Sequence, residues 1–296
     1  MDETPHSAAY FGDTRDFWWN RDFLELMSRR WQLAEVRRAL DVGCGLGHWA
    51  ACLAPFLPAG CELTGVDRET RWIDEARHRS AAHPHLRCTF VTGEAERLPF
   101  ADDSFDLVTC QTVLIHVREP VVVLREMLRV LRPGGLLAVA EPNNVAVNLV
   151  RSDLAVPVAE ILPLVEFQMR CERGKMKLGE GFISVGPLVP GWFAELGLGQ
   201  IESWQSDKTT MLLPPYASAE AQALVSEAEA MDRQEFWIWN REDTRRYFLA
   251  GGGEVEKFED LWRRALARER FLLAGLRART LDRTTAPTLL LVSGRK

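Results

Sequence analysis

The chain has 296 residues, 47% of them hydrophobic and 26% charged, with 36 Lys and Arg against 42 Asp and Glu for a formal net charge of -6. That length suits one large domain carrying insertions, and the acidic balance argues against bulk nucleic acid or an anionic membrane as the main partner. Six cysteines (Cys44, Cys52, Cys61, Cys88, Cys110, Cys171) form no CxxC pair and no metal-like spacing with histidine, so free thiols and no metal are expected. The opening MDETPHSAAYFGDTRDFWWN has no apolar stretch of signal-peptide type, and no run of about 18 apolar residues follows. A cytoplasmic chain that neither enters nor crosses a membrane is the expectation.

In chain order, Phe17, Trp18, Phe23, Leu24, Met27, Trp31 and Leu33 recur at helical spacing, which predicts one or two amphipathic helices. Residues 1–37 are read as an N-terminal helical lid. From Arg38 the grammar changes: RALDVGCGLGH gives a short apolar strand ending in an acid, three glycines at alternate positions, and a helix starting near His48. The pattern repeats with a strand at 61–67 and a helix to about Arg79, then strands at 87–95 and 105–114. A helix over 119–131 is stopped by Arg132-Pro133-Gly134-Gly135, and a fifth strand fills 135–142. Strands near-continuous in Val, Leu and Ala, alternating with helices, predict a parallel sheet covered on both faces.

Beyond Pro142 the alternation stops until a strand at 200–212 and a last one at 288–294, expected to close the sheet as an antiparallel edge pair. Between them, 143–199 and 213–285 read as helical insertions suited to a substrate lid, the first broken at Pro157 and Pro163, the second at Gly251-Gly252-Gly253. The expected fold class is therefore α/β: a Rossmann-like, doubly wound, seven-stranded sheet, mostly parallel with an antiparallel last strand, plus helical lids. Residues 1–296 form one domain whose core is 38–142.

The chemistry concentrates in Asp41-Val42-Gly43-Cys44-Gly45-Leu46-Gly47. Glycines let the backbone approach a ligand at the mouth of a helix, and the alternative reading is a turn needed only for tight packing. The spacing is GxGxG rather than the dinucleotide GxGxxG, and the leading acid suits a ligand bearing an amino group rather than a pyrophosphate. Asp67 ends the second strand about twenty residues on, where a carboxylate can take both ribose hydroxyls or simply cap the next helix. Glu94 and the Ala95 amide end the third strand, suited to an adenine edge, while Trp72 is placed either on the adenine face or in the core.

ALDVGCGLGHW, TGVDRETRWIDEAR, GEAERLPFADDSFDLVTCQTVLIHV and LRPGG together closely resemble the class I S-adenosylmethionine-dependent methyltransferases, in the small-molecule branch that includes the ubiquinone-biosynthesis type (methyltransferase type 11). The resemblance covers roughly residues 38–142. It implies S-adenosyl-L-methionine as cofactor, with Asp41, Gly43, Cys44, Gly45 and Gly47 around its methionine part, Asp67 with Arg68 at the ribose, and Glu94, Ala95 and Trp72 at the adenine. Gln111 would lie beside the methionine part, and Arg15 would reach the cofactor from the lid. Glu94 stands where aspartate is commoner, which shifts the adenine contact slightly. On the acceptor side, His116 and Tyr10 are the catalytic candidates, His116 either removing a proton or shaping the pocket. Ten tryptophans suit a small aromatic acceptor, indole-like among the options, methylated on C, N or O in secondary metabolism. A homodimer is a candidate assembly. An RNA or protein methyltransferase is disfavoured by charge and by QTVL where an NPPY-type tetrapeptide would stand, and a cofactor-binding protein without turnover remains a separate reading.

Overall fold

In the computed structural model, strands β1 (Arg38–Val42), β2 (Glu62–Asp67), β3 (Arg87–Thr92), β4 (Phe105–Gln111), β5 (Leu131–Pro142), β6 (Gly199–Gln205) and the last strand, β9 (Leu289–Arg295), form one seven-stranded sheet. Residues 13–149 and 157–296 are described. The sheet order is β3-β2-β1-β4-β5-β9-β6, with β1 to β5 paired in parallel and β9 antiparallel to both of its neighbours. The reversal of strand order between β1 and β4 is where open α/β sheets make a crevice at their carboxyl ends.

Helices α1 (Arg21–Arg30), α2 (His48–Leu53), α3 (Thr70–Ser80) and α4 (Pro120–Val130) accompany these strands. Proline at the first position of α4 lacks an N–H that would have no helical partner there, and Val123, Leu124, Met127 and Val130 give it a buried face. Strands β3 and β4 stop earlier than their apolar runs suggest. Gly93 N–H gives the Asp67 carbonyl the last bond of the β2–β3 ladder, and Thr112 turns to φ 53, ending β4 before a 3-10 turn at Leu114–His116.

The two late strands close the sheet as the expected antiparallel pair. Within it β9 is interior and β6 is the edge: Leu289, Leu291, Val292 and Ser293 of β9 are buried, whereas β6 exposes most of GQIESWQ, so only the former tolerates neighbours on both sides. One expectation needs correction: the strand at 200–212 is two strands. After β6 the chain leaves the sheet, and β7 (Thr210–Leu212) pairs antiparallel with β8 (Arg283–Thr285) in a separate ribbon.

The chain divides into two compact units. The sheet unit comprises Trp19–Asn143, Ile183–Asp207 and Thr288–Lys296. Its boundary falls after Trp18 rather than at residue 37, because Leu24, Met27, Trp31, Leu33 and Val36 are buried in its core. It also holds α7 (Val189–Glu195). The helical unit comprises the described parts of 1–18, 144–182 and 208–287, with α5 (Asn144–Leu149), α6 (Val158–Lys177), α8 (Ala219–Arg233), α9 (Arg241–Ala250) and α10 (Val255–Ala278). Contrary to the expected break, α6 runs through Pro163. The lost backbone bond is offset by a face of Phe167, Cys171 and Gly174 buried against α9, where a Cβ on Gly174 would lie 1.7 Å from the Tyr247 carbonyl oxygen. No helix among the described residues is long and apolar enough to cross a membrane.

Candidate active site

The site candidates of the sheet unit lie at the carboxyl ends of β1, β2, β3 and β4. Gly43, Gly45 and Gly47 all take positive φ (63, 50 and 82), so the turn into α2 is a conformation that other L residues adopt only at a cost. Gly43 is fixed twice over. A Cβ there would stand 2.5 Å from Cγ2 of Val113, so the loop after β4 packs directly on the glycine turn.

Asp41 is 1% exposed, and neither carboxylate oxygen has a hydrogen-bond partner, although Ala50 N–H in the first turn of α2 faces it. Burial, with a second push from Asp67, raises its pKa from 3.8 to about 8. Asp67 is also buried and also pushed upward by desolvation, but its oxygens accept from Gly45 N–H and Glu69 N–H, both at 2.9 Å. Thus one carboxylate ties the glycine turn to the end of β2, while the other is buried without such ties among the described residues. Cys44, buried beside both acids, has its thiol pKa pushed well up and is held neutral.

Glu94 is exposed and bridges to Arg97 in the loop that Gly93 anchors to Asp67, which brings it beside the end of β2 with Ala95 next to it. Trp72 is half-buried on α3 with the Arg71 guanidinium 5.4 Å from its ring. Arg68 is exposed and lies 3.7 Å from Glu69. Gln111 ends β4, and its Oε1 accepts from the Trp19 indole at 3.1 Å. His116 closes the 3-10 turn, half-buried, with its N–H on the Val113 carbonyl. Arg15 belongs to the helical unit, where it lies over Trp18 and interacts with Glu227, burial lowering its pKa to about 10. Tyr10 lies outside the described residues.

One residue at this site was not singled out from the sequence. Glu141, at the end of β5, is fully buried, and its Oε1 accepts from Val113 N–H and Leu114 N–H, both at 2.9 Å. Desolvation raises its pKa to about 8, and Oε2 has no hydrogen-bond partner. The carboxylate thereby holds in place the loop that covers Gly43 and carries His116. The acid in VAEP was the available signal, but in sequence it is only a polar residue at a strand end. Among the described residues no cluster of metal-ligating side chains occurs.

Residues 40–139 match the family model for a methyltransferase domain. Over this segment the chain is similar to the class I, S-adenosylmethionine-dependent methyltransferases. Demethylmenaquinone methyltransferase from Staphylococcus aureus is 32% identical over 127 residues, 43% of this chain and 52% of that protein. The chain thus spans about half the length of the curated relatives it matches. Among solved structures, the YcgJ protein from Bacillus subtilis aligns with TM-score 0.51 at 19% identity over 94% of this chain and 99% of that one. The [4+2]-cyclase SpnF aligns with TM-score 0.50 at 20% identity over 93% and 80%. These two likenesses concern the fold. The residues present fit S-adenosylmethionine: Asp41 offers an unpartnered buried carboxylate to an ammonium group, and the positive-φ glycines leave backbone beside it with no Cβ in the way.

Proposed function

We propose that this protein is an S-adenosylmethionine-dependent methyltransferase acting on a small molecule, with an aromatic acceptor, indole-like among the candidates, in cytoplasmic secondary metabolism. The observation that carries the reading is Asp41, a carboxylate buried at the mouth of a glycine turn with neither oxygen hydrogen-bonded among the described residues. Bound S-adenosylmethionine supplies an electrophilic methyl group on a sulfonium. Asp41 would take the amino group of its methionine part, and Asp67 would turn its remaining lone pairs to the ribose. The Ala95 amide and Glu94 would meet the adenine, with Trp72 on its face, and Arg68 would flank the ribose.

What the protein then contributes is chiefly alignment, because holding donor and acceptor in line can supply about 7–11 kcal/mol of a barrier. The half-buried His116 is assigned to the acceptor side, as a positioning group where the acceptor is an electron-rich ring carbon and as a base where it is a hydroxyl. Tyr10 and Arg15 are further proposals as site residues. Demethylmenaquinone methyltransferase, by its name, methylates a demethylated quinone, which supports a ring-bearing acceptor. A chain of this fold is also a [4+2]-cyclase, so the fold alone does not carry methyl transfer.

Calorimetry with S-adenosylhomocysteine and with NAD, followed by labelled methyl transfer into a metabolite extract, tests the proposal. Binding of S-adenosylhomocysteine with product formation supports it. NAD binding more tightly would overturn the cofactor assignment, and cofactor binding with no product in any extract would favour a protein without methyl turnover.

A further inference from the structure

The N-terminal tryptophan Trp19 touches the site through one bond. Its indole N–H donates to Oε1 of Gln111 at 3.1 Å, and its ring is clamped, stacked against Phe23 with centroids 6.3 Å apart and tilted on Trp49 at 5.2 Å. Trp49 is pinned in turn, donating its indole N–H to Thr109 on β4 at 2.8 Å. The chemistry of this contact is directional. An indole N–H can only donate, so the Gln111 atom it meets must be the carbonyl oxygen, and the two N–H groups of the amide are turned the other way. Those N–H groups have no partner among the described residues.

The sheet register says what they lie near. Asp41 of β1 pairs with Thr109 of β4, so Gln111, two residues further on, stands level with Gly43 in the glycine turn. An amino-acid zwitterion needs an anionic acceptor for its ammonium and donors for its carboxylate, side by side. Asp41 is the former, and the amide of Gln111 is the latter only if its oxygen is held away.

We infer that Trp19 is a positioning residue that fixes the orientation of the Gln111 amide so that its N–H groups receive the α-carboxylate of the cofactor's amino-acid end. The inference rests on the methyltransferase reading and deepens it. Without the indole donor, the amide is free to flip and present its oxygen to a carboxylate, which repels it.

The test compares two ligands that differ in that end alone: S-adenosylhomocysteine, which has the amino-acid group, and 5′-methylthioadenosine, which lacks it. Trp19→Phe keeps an aromatic ring between Phe23 and Trp49 and removes the donor. It is expected to weaken S-adenosylhomocysteine by about 5- to 20-fold, below the roughly 10- to 150-fold of a hydrogen bond to a charged group lost outright because the amide is loosened and not removed, and to leave methylthioadenosine within about twofold. Gln111→Glu, which still accepts from the indole but offers no donors, is expected to weaken S-adenosylhomocysteine at least as much with the same selectivity. In a Gln111→Leu background, Trp19→Phe should add less than about twofold. Equal loss for both ligands, loss for neither, or an undiminished Trp19→Phe effect in the Gln111→Leu background overturns the inference. Failure of the wild-type protein to bind either ligand overturns the methyltransferase reading itself, and the inference with it.

Discussion

Replacing Asp41 by asparagine should raise the stability of the ligand-free protein while lowering its affinity for the cofactor, and the two effects have one cause. The carboxylate is 1% exposed, and neither oxygen has a hydrogen-bond partner among the described residues. Its folded-state pKa of about 8 against 3.8 means that the folded chain holds a proton that the unfolded chain releases. Stability from this group is full below pH 3.8 and is lost as the pH rises towards 8, at 1.36 kcal/mol per pH unit, or up to about 4 kcal/mol by pH 7. Asparagine removes this penalty but leaves a buried amide short of partners, at a cost of about 1–3 kcal/mol, so a net gain of about 1–3 kcal/mol remains. At about 2–4 °C per kcal/mol, the melting temperature at pH 7.5 should rise by roughly 2–12 °C. The wild-type melting temperature should fall between pH 5.5 and 8 more steeply than that of the variant. Affinity for S-adenosylhomocysteine should drop about 10- to 150-fold, because an ammonium group loses its charged acceptor. Scanning calorimetry over that pH range, with titration calorimetry at pH 7.5, reads both quantities. A variant less stable than wild type at pH 7.5, or one of unchanged affinity, would refute the reasoning.

Asp67→Ala should weaken S-adenosylhomocysteine by about 1.5–3 kcal/mol in titration calorimetry, and unchanged affinity in a folded variant would remove Asp67 from the site. Gly43→Ala should lower stability by about 1–3 kcal/mol, because its Cβ would meet Cγ2 of Val113 at 2.5 Å, and the Val113→Ala change should recover part of that loss in denaturant titrations. Glu141→Gln keeps an acceptor for the Val113 and Leu114 N–H groups and should flatten the decline of stability as pH rises towards 8, whereas Glu141→Leu should cost about 2 kcal/mol or more by leaving both N–H groups unpaired. His116→Ala should leave the shape of the pH–rate profile unchanged with less than about a tenfold loss of turnover; loss of an acid limb present in the wild type, together with about 10²–10⁴ in turnover, would instead make His116 the base.

The local grammar was legible in the amino-acid order. Apolar runs ending in Asp41 and Asp67, glycines at alternate positions, and proline or glycine stops after helices are set by backbone sterics and short-range periodicity, so β1, β2, α3 and α4 lie close to where they were expected. The sheet's class followed as well, since near-continuous Val, Leu and Ala strands alternating with helices leave few arrangements that bury both faces. Tertiary structure decided what depends on residues distant in the chain. The place of β9 between β5 and β6 depends on which of two late strands can be buried on both sides, and α6 continues through Pro163 because α9 packs backbone to backbone against it. Glu141 became a site residue only when β5 carried it under the Val113 and Leu114 amides, and Trp19 only when α1 packed beside Trp49. Hydrogen bonds across 28 and 92 residues of chain leave no periodic trace in a sequence, because the direction of a donor is fixed by packing and not by spacing.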